Sequence, residues 1–105
     1  MEAALKAIAA PRRREILRLV WDAERSAGDI ASHFDVSRPA ISQHLTVLRT
    51  AGLVTERKEG ARRLYRANRD ALADLQTSLE AFWRGSLVAL KEEVEAEEGR
   101  RRVRG

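Results

Sequence analysis

The segment SAGDIASHFDVSRPAISQHLTVLRTAGLV, residues 26–54, determines the predicted fold of this chain. It holds two short amphipathic patterns separated by Asp35-Val36, a break too short for anything but a sharp turn. Ser26 opens the first pattern as a predicted helix cap, with Asp29 as an approximate capping-box partner. The face predicted to be buried carries three apolar residues: Ile30, Ala31 and Phe34. Their spacing predicts a helix of about three turns.

The second pattern predicts another helix. Ser37 is its predicted cap, and Pro39 is tolerated in the first turn because the amide that proline lacks has no partner there. Gly52 is predicted to end the helix, as a residue that is free to adopt the left-handed conformation. Between these limits, apolar residues recur at i, i+4 and i+7, which is one stripe of a helix: Ile41, Leu45 and Leu48.

The outer face of this second helix is polar. A helix, a short turn and a second helix with a polar outer face form the geometry that fits a DNA major groove. Arg38 matches guanine O6 and N7, and Gln43 matches adenine N6 and N7. The residues that we predict to contact DNA from this helix are Ser37, Arg38, Ser42, Gln43 and His44. For any one of these residues taken alone, the alternative is that it merely belongs to the solvated side of an amphipathic helix.

A predicted β-hairpin follows, with residues 53–58 and 62–67 as strands around Glu59-Gly60-Ala61. Its flanks hold β-branched and aromatic residues in rough alternation, and its middle contains a glycine. Basic residues cluster at its turn: Arg57, Lys58, Arg62 and Arg63. We predict that they lie along the DNA backbone or enter a minor groove. The alternative is a charged edge strand that resists aggregation.

Three further helices complete the predicted order helix-helix-helix-helix-strand-strand-helix. They lie around residues 5–8, over about 11–23, where Ile16, Leu17, Val20 and Trp21 face inward, and from a cap at Asn68 or Asp70 to about Glu97. A helix-turn-helix followed by a hairpin is a winged helix, so the predicted fold class is mainly α with a small β-hairpin. Residues 1–98 are predicted to be one domain for DNA binding and dimerisation, and residues 99–105 a disordered basic tail.

The last predicted helix carries a long apolar stripe. Its members are spaced mostly by three and four: Leu72, Leu75, Leu79, Phe82, Trp83, Leu87, Leu90 and Val94. A stripe of about seven turns with large aromatic residues exceeds what a small winged helix needs. We therefore predict a homodimer that packs through this helix, with Leu5 and Ile8 contributing. Two-fold symmetry then calls for an imperfect palindrome in the DNA. The alternative is a helix that covers its own domain.

Composition narrows the function classes. The chain has 105 residues, which predicts one domain, and its net charge of +4 favours a polyanionic partner. It has no cysteine and no apolar run of signal-peptide or membrane-span length, so we expect a cytoplasmic protein that does not bind membranes. His33 and His44 lie on separate predicted helices and do not supply the three or four ligands of a metal site. No glycine-rich phosphate loop, activated nucleophile or carboxylate pair indicates an enzyme.

These residues resemble the ArsR/SmtB family of bacterial winged-helix repressors. The stretch VSRPAISQHLTVLRTAGLV, followed by ERKEGARRLYRAN, looks very like that family's recognition helix and wing. With PRRREILRLV before it, the similarity covers about residues 5–95. The resemblance implies a homodimeric repressor that occludes a promoter and releases it when an inducer arrives, an unknown small molecule or protein. By position, it implies DNA contacts at Arg38, Pro39, Ser42 and Gln43, with the wing at Arg57 to Arg63.

The resemblance also bears on metal sensing. Metal-sensing members of the family often place cysteines in the first helix of the motif, or acidic and histidine ligands on the last helix. Here the corresponding segment GDIASHF has no cysteine, and the last helix has no histidine. The chain therefore resembles the metal-independent branch, and we predict neither a metal nor a cofactor. Two alternatives remain: a winged helix whose groove face binds another protein, and a metal-responsive repressor with a non-cysteine site.

Overall fold

The predicted order of helices and hairpin is confirmed in a computed structural model, which describes the backbone of residues 1–104 and the side chains of residues 1–101. Two compact units divide the chain, Met1–Ala73 and Asp74–Gly105. Along the chain the elements are α1 (Glu2–Ala9), α2 (Pro11–Leu19), β1 (Arg25–Ser26), α3 (Ala27–Ser32), α4 (Arg38–Thr50), β2 (Val54–Glu59), β3 (Arg62–Ala67) and α5 (Arg69–Arg104).

Both ends of α4 are fixed by the residues that the sequence indicated. The Ser37 hydroxyl accepts a hydrogen bond from the Ala40 amide at 3.3 Å. At the other end Gly52 has a φ of 79°. Its amide donates to the Arg49 carbonyl at 2.9 Å, and the Leu53 amide donates to the Leu48 carbonyl, also at 2.9 Å. This is a Schellman ending, which satisfies carbonyls that the helix leaves unpaired.

The apolar stripe of α4 lies at the centre of the core. The aliphatic residues around it come from every other helix of the first unit and from the sheet, with Ala71 and Leu72 supplied by the start of α5. Fully burying one large aliphatic side chain contributes roughly 1.5–3 kcal/mol. The largest fully buried side chains are Ile16, Ile30, Ile41, Leu45, Leu48, Leu53 and Val20. Since this stripe is buried, the opposite face of α4 points to solvent.

Helix α3 is shorter than predicted, with six residues instead of about three turns. Ser26 caps it as expected and accepts a hydrogen bond from the Asp29 amide at 3.1 Å. The Asp29 carboxylate does not complete a capping box and instead pairs with Arg25 at 2.9 Å. The Ser32 hydroxyl donates to the Asp29 carbonyl at 2.6 Å, and His33 Nδ1 lies 2.8 Å from the same oxygen. These side chains compete for the backbone and end the helix early.

Helix α2 also ends before its predicted limit, at Leu19 instead of Ala23. The Leu19 carbonyl accepts a hydrogen bond from Arg25 Nε at 2.8 Å, and the Val20 carbonyl accepts one from the Ala67 amide at 2.9 Å. These partners draw the chain away from the helix axis. Trp21, which the sequence placed inside, is consequently exposed, and the Arg69 guanidinium lies 5.8 Å from the centre of its ring.

The hairpin is present, and it belongs to a sheet with a third strand. Strands β2 and β3 pair antiparallel from Val54 opposite Ala67 to Glu59 opposite Arg62. Gly60, with a φ of 61°, lies in the two-residue turn between them. Strand β1 pairs with β3 on its other side, giving the order β1-β3-β2. The sequence analysis missed β1 because two residues are too few to show a periodicity.

Helix α5 begins as predicted and continues further. Asn68 caps it, since its Oδ1 accepts a hydrogen bond from the Ala71 amide at 3.2 Å. The prediction that the helix ends near Glu97 is wrong, because it continues through Gly99 to Arg104. A helical glycine costs only about 1 kcal/mol relative to alanine, and an ion pair between Glu97 and Arg101 at 3.3 Å spans the position. The sequence predicted a disordered tail over residues 99–105. Of these, Gly105 lies outside the described residues.

Replacing Gly52 with alanine tests the ending of α4. We expect Gly52→Ala to lower the free energy of unfolding, measured in urea, by about 1 kcal/mol, because the left-handed conformation disfavours a Cβ atom. A Cβ there would meet no other atom within 4 Å, so backbone strain alone produces the effect. The control is Gly99→Ala within α5, which should raise the helix content seen by circular dichroism. Equal stability of Gly52→Ala and the wild type would contradict this account.

Candidate nucleic-acid interface

The outward face of α4 presents two columns of side chains, each spaced by one helical turn. One column is Arg38, Ser42 and Thr46, and the other is Pro39, Gln43 and Val47; all are exposed. Four of these were predicted as DNA contacts, and Ser37 is exposed beside them at the helix start. Thr46 and Val47 were missed, although their spacing of four from Ser42 and Gln43 would have found them.

His44 does not join this face. Its ring is half-buried, and Nδ1 lies 3.5 Å from an Arg13 guanidinium nitrogen on α2. Burial lowers the pKa of His44, and the positive charges of Arg13 and then Arg12 lower it further. The exposed phosphate donor that the sequence suggested is therefore a ring packed towards two arginines.

An open groove separates the outward face of α4 from the hairpin. We call β2, its turn and β3 the wing. Arg38 and Ser42 line the groove on the α4 side, and Arg62 and Arg63 line it on the wing side. Ser26 and Gly28 close one end, where the Arg38 guanidinium lies 3.6 Å from the position of a Cβ on Gly28. The first unit thus brings the predicted base-contacting and backbone-contacting residues to one surface.

The wing cations are not equivalent. Arg57 donates two hydrogen bonds to the Glu24 carboxylate, at 2.7 and 2.9 Å, and lies 3.2 Å from Glu59. Hydrogen bonding to Arg57 lowers the pKa of Glu24, and hydrogen bonding to Glu24 raises the pKa of Arg57. Both groups stay charged, and the pair is bidentate. The Glu24 carboxylate offsets most of the positive charge that the sequence assigned to Arg57.

Arg63 is also paired, whereas three other wing cations are not. Arg63 lies 3.3 Å from Glu56 on the neighbouring strand. Among the side chains that the structure describes, no ion pair involves Lys58, Arg62 or Arg66 of the wing or, on α4, Arg38. All four are exposed, and Arg38 and Arg62 line the groove.

Two arginines at the start of α2 have a structural role. Arg13 donates to the carbonyls of Ala7 at 2.6 Å and Lys6 at 3.0 Å. Arg14 donates to those of Ile8 at 2.7 Å and Ala9 at 3.1 Å. Together they satisfy the last four carbonyls of α1. Arginines are favoured near the C-terminal end of a helix. The position of these two directly after a predicted helix was therefore the signal in the sequence for this role.

The second unit consists of α5 from Asp74 onward, and most of its apolar stripe is exposed. Phe82, Trp83, Leu87 and Leu90 are each 53–59% exposed, and Val88 and Val94 are similar. The rings of Phe82 and Trp83 meet edge to face with centroids 5.7 Å apart. Of the other residues predicted to contact a second copy, Leu75 is buried, Leu79 and Leu72 are partly buried, and on α1 Leu5 and Ile8 are partly buried.

No group of three or more histidine, cysteine, aspartate or glutamate side chains comes together in the described part of the chain in a way that would hold a metal ion. Within the same residues, no helix combines the length and the apolar character that a bilayer crossing requires.

A helix-turn-helix and a basic wing that share one groove define a winged-helix DNA-binding protein. The model of the bacterial regulatory proteins of the arsR family matches residues 10–56. HTH-type transcriptional regulator Rv2034 of Mycobacterium tuberculosis is 39% identical over 94 residues, 90% of this chain and 88% of that protein. Transcriptional repressor SdpR of Bacillus subtilis is 40% identical over 74 residues, 70% of this chain and 82% of that protein. The chain belongs to the arsR family.

Solved structures agree with this assignment. The crystal structure of a possible transcriptional regulator for arsenical resistance is 45% identical with a TM-score of 0.71, over 76% of this chain and 83% of that one. An ArsR-like transcriptional regulator from Rhodococcus sp. RHA1 is 35% identical with a TM-score of 0.72, over 87% and 89%. The chain is therefore a DNA-binding transcriptional regulator rather than an enzyme, and its relatives support the prediction of a repressor.

The lowered pKa of His44 makes stability depend on pH. A histidine with a lower pKa in the folded state binds fewer protons there than in the unfolded state, so the free energy of unfolding falls as pH drops below 6.5. We expect this fall, followed in urea from neutral pH to about 5.5, to be smaller in His44→Gln. Parallel curves for the two proteins would contradict the burial of His44. Titration of the imidazole by NMR should give a pKa below 6.5 directly.

Proposed function

We propose that two copies of this chain bind a palindromic operator and repress transcription by occupying it. Each copy inserts α4 into the major groove and lays its wing along the neighbouring backbone or minor groove. One observation carries this proposal: Arg38 and Ser42 on α4 and Arg62 on the wing line a single open groove. Residues that contact base edges and residues that contact phosphates thereby bind the same stretch of duplex.

Base recognition is assigned to the outward face of α4. Arg38 suits bidentate contact with guanine, and Gln43 suits adenine. Ser42 and Ser37 supply shorter hydroxyl groups, and Pro39 lies between them at the helix start. This face is exposed because the apolar stripe opposite it is buried in the core. The exposure supports recognition of DNA from α4 without a change in the fold.

Phosphate contact is assigned first to Lys58 and Arg62. Both are exposed in the wing, and neither is paired with a carboxylate among the described side chains. Arg57 and Arg63 contribute less, because Glu24 and Glu56 hold them. His44 is assigned no more than a secondary contact, since its ring packs towards Arg13.

Pairing of two copies is assigned to the exposed stripe of α5. A contiguous apolar patch with two aromatic residues at its centre marks an interaction surface on a small domain. The patch follows one helix, so a second copy can meet it in the same way about a two-fold axis. The remaining interface residues are Leu72, Leu75, Leu79, Leu87 and Leu90 on α5, with Leu5 and Ile8 on α1.

Repression by occupancy agrees with the relatives. SdpR and two staphylococcal proteins carry the name of repressor, the latter of arsenical resistance operons, whereas HlyU of Vibrio cholerae is named a transcriptional activator. For this chain we propose repression, relieved by an inducer that is a small molecule or another protein. Family membership favours DNA over the alternative in which the groove binds a protein.

The decisive experiment measures DNA affinity against salt concentration. Each phosphate neutralised contributes a slope of about 0.9 in the logarithmic plot. Two copies with Lys58 and Arg62 in contact with phosphates predict a slope of roughly 4. A duplex from the upstream region of its own gene serves as the probe, and a shuffled duplex of equal composition is the control. A flat salt response would favour a protein partner for the groove.

Variants separate base recognition from phosphate contact. Arg38→Ala and Gln43→Ala should each reduce discrimination between the operator and shuffled DNA by about 1–3 kcal/mol. Arg62→Ala combined with Arg63→Ala should weaken both duplexes equally and lower the salt slope by about 1 per lost contact. The matched control is Arg57→Ala, whose effect should be smaller because Glu24 already holds that side chain. Equal losses on both duplexes for Arg38→Ala would remove it from base recognition.

Charge substitutions in α5 test the dimer. Leu79→Glu and Trp83→Glu should yield monomers, because burying an unpaired carboxylate costs several kcal/mol. Sedimentation velocity measures the outcome. Gln76→Glu places the same charge at an exposed polar position of α5 and should leave the dimer intact. Dimeric Trp83→Glu would show that another surface joins the copies.

A further inference from the structure

Glu56 on β2 is the least exposed partner of any ion pair in the described residues, with 16% of its side chain accessible. Its two carboxylate oxygens bind different elements. Oε2 lies 3.5 Å from Nε of Arg49, in the last turn of α4. Oε1 lies 3.3 Å from a terminal guanidinium nitrogen of Arg63 on β3. One carboxylate therefore connects the DNA-facing helix to the wing.

The surroundings of Glu56 place it directly behind the groove. It is paired across the sheet with Tyr65, and both Tyr65 and Arg63 line the groove. Burial raises the pKa of Tyr65, and the negative charge of Glu56 raises it further. Glu56 thus adjoins two residues of the groove wall, Tyr65 as its cross-strand partner and Arg63 through an ion pair at 3.3 Å.

Pairing at Glu56 also changes the electrostatics of the surface. Arg49 and Arg63 would otherwise be two further cations near the phosphates, with about half of each side chain exposed. Ion pairs with one carboxylate restrain both guanidinium groups and offset part of their charge. Phosphate contacts carry no sequence information, so restraining these cations favours base discrimination over general affinity.

We propose that Glu56 is a positioning residue that determines operator discrimination, by holding the wing at a fixed distance from α4 and restraining two arginines. This inference rests on the proposed function, in which α4 and the wing bind the same duplex. Removing the charge of Glu56 should therefore have two opposite consequences. Affinity for DNA of any sequence increases, whereas the preference for the operator decreases.

The test compares Glu56→Gln with Glu59→Gln in the full-length protein. Both changes remove one negative charge from β2, but Glu59 is exposed at the wing turn and contacts only Arg57 among the described ion pairs. The probes are the tightest duplex selected from a random library by the wild type and a shuffled duplex of equal composition. Affinities are measured for both duplexes across a range of salt concentrations.

For Glu56→Gln we expect tighter binding to the shuffled duplex and a salt slope steeper by about two to four, about one for each arginine released in the two copies. The ratio of the two affinities should fall about tenfold. Glu59→Gln should tighten both duplexes similarly and keep the ratio within about twofold of the wild type. Equal ratios in the two variants would overturn the proposal, since they would show a simple effect of net charge.

A second variant covers the case in which Glu56→Gln does not fold. Arg49→Gln removes the contact from the α4 side and lowers the positive charge, so it should weaken binding to the shuffled duplex while still reducing the ratio. An unchanged ratio in Arg49→Gln would overturn the role of Glu56. If the wild type itself binds without salt dependence or sequence preference, the proposed function fails as well. Normal discrimination by the wild type with no effect of either variant refutes this inference alone.

Discussion

The two-sided character of α4 is the constraint on which the rest of the structure depends. Ile41, Leu45 and Leu48 are almost fully buried, so the helix cannot rotate without exposing them. The Ser37 cap and the left-handed Gly52 fix where it begins and ends. Because side chains follow the helical repeat, fixing the buried stripe also fixes which residues face solvent. Hydrophobic burial thereby determines the direction of the polar face.

The features that the sequence predicted correctly depend on residues a few positions apart. Caps at Ser26, Ser37 and Asn68 involve amides three residues later, and the turn at Gly60 involves its immediate neighbours. Two of the features that it missed depend on distant partners. Strand β1 exists because Arg25 pairs with Tyr65, and α2 ends where the Ala67 amide binds Val20. A periodicity in the sequence carries no information about such pairings.

The candidate site shows the same division. Residue types and spacing identified the α4 face, because exposure there follows from the helical repeat. The wing was harder to predict, since charge can be counted in a sequence but its compensation cannot. Arg57, Lys58, Arg62 and Arg63 were equivalent candidates, yet Glu24 binds the first across 33 residues and Glu56 binds the last. Arg13 and Arg14 are a further example, since they bind the last carbonyls of α1.

Compensation of wing charge has a consequence for a regulator that must find one site among many. Non-specific affinity grows with every phosphate neutralised, and it does so equally on all sequences. Base contacts are few, so excess phosphate affinity would hold the protein on random DNA. The net charge is only +4, and carboxylates placed against Arg57 and Arg63 reduce the number of wing cations available to phosphates. The homodimer that we propose would engage two half-sites of a palindrome at once, which random DNA does not offer.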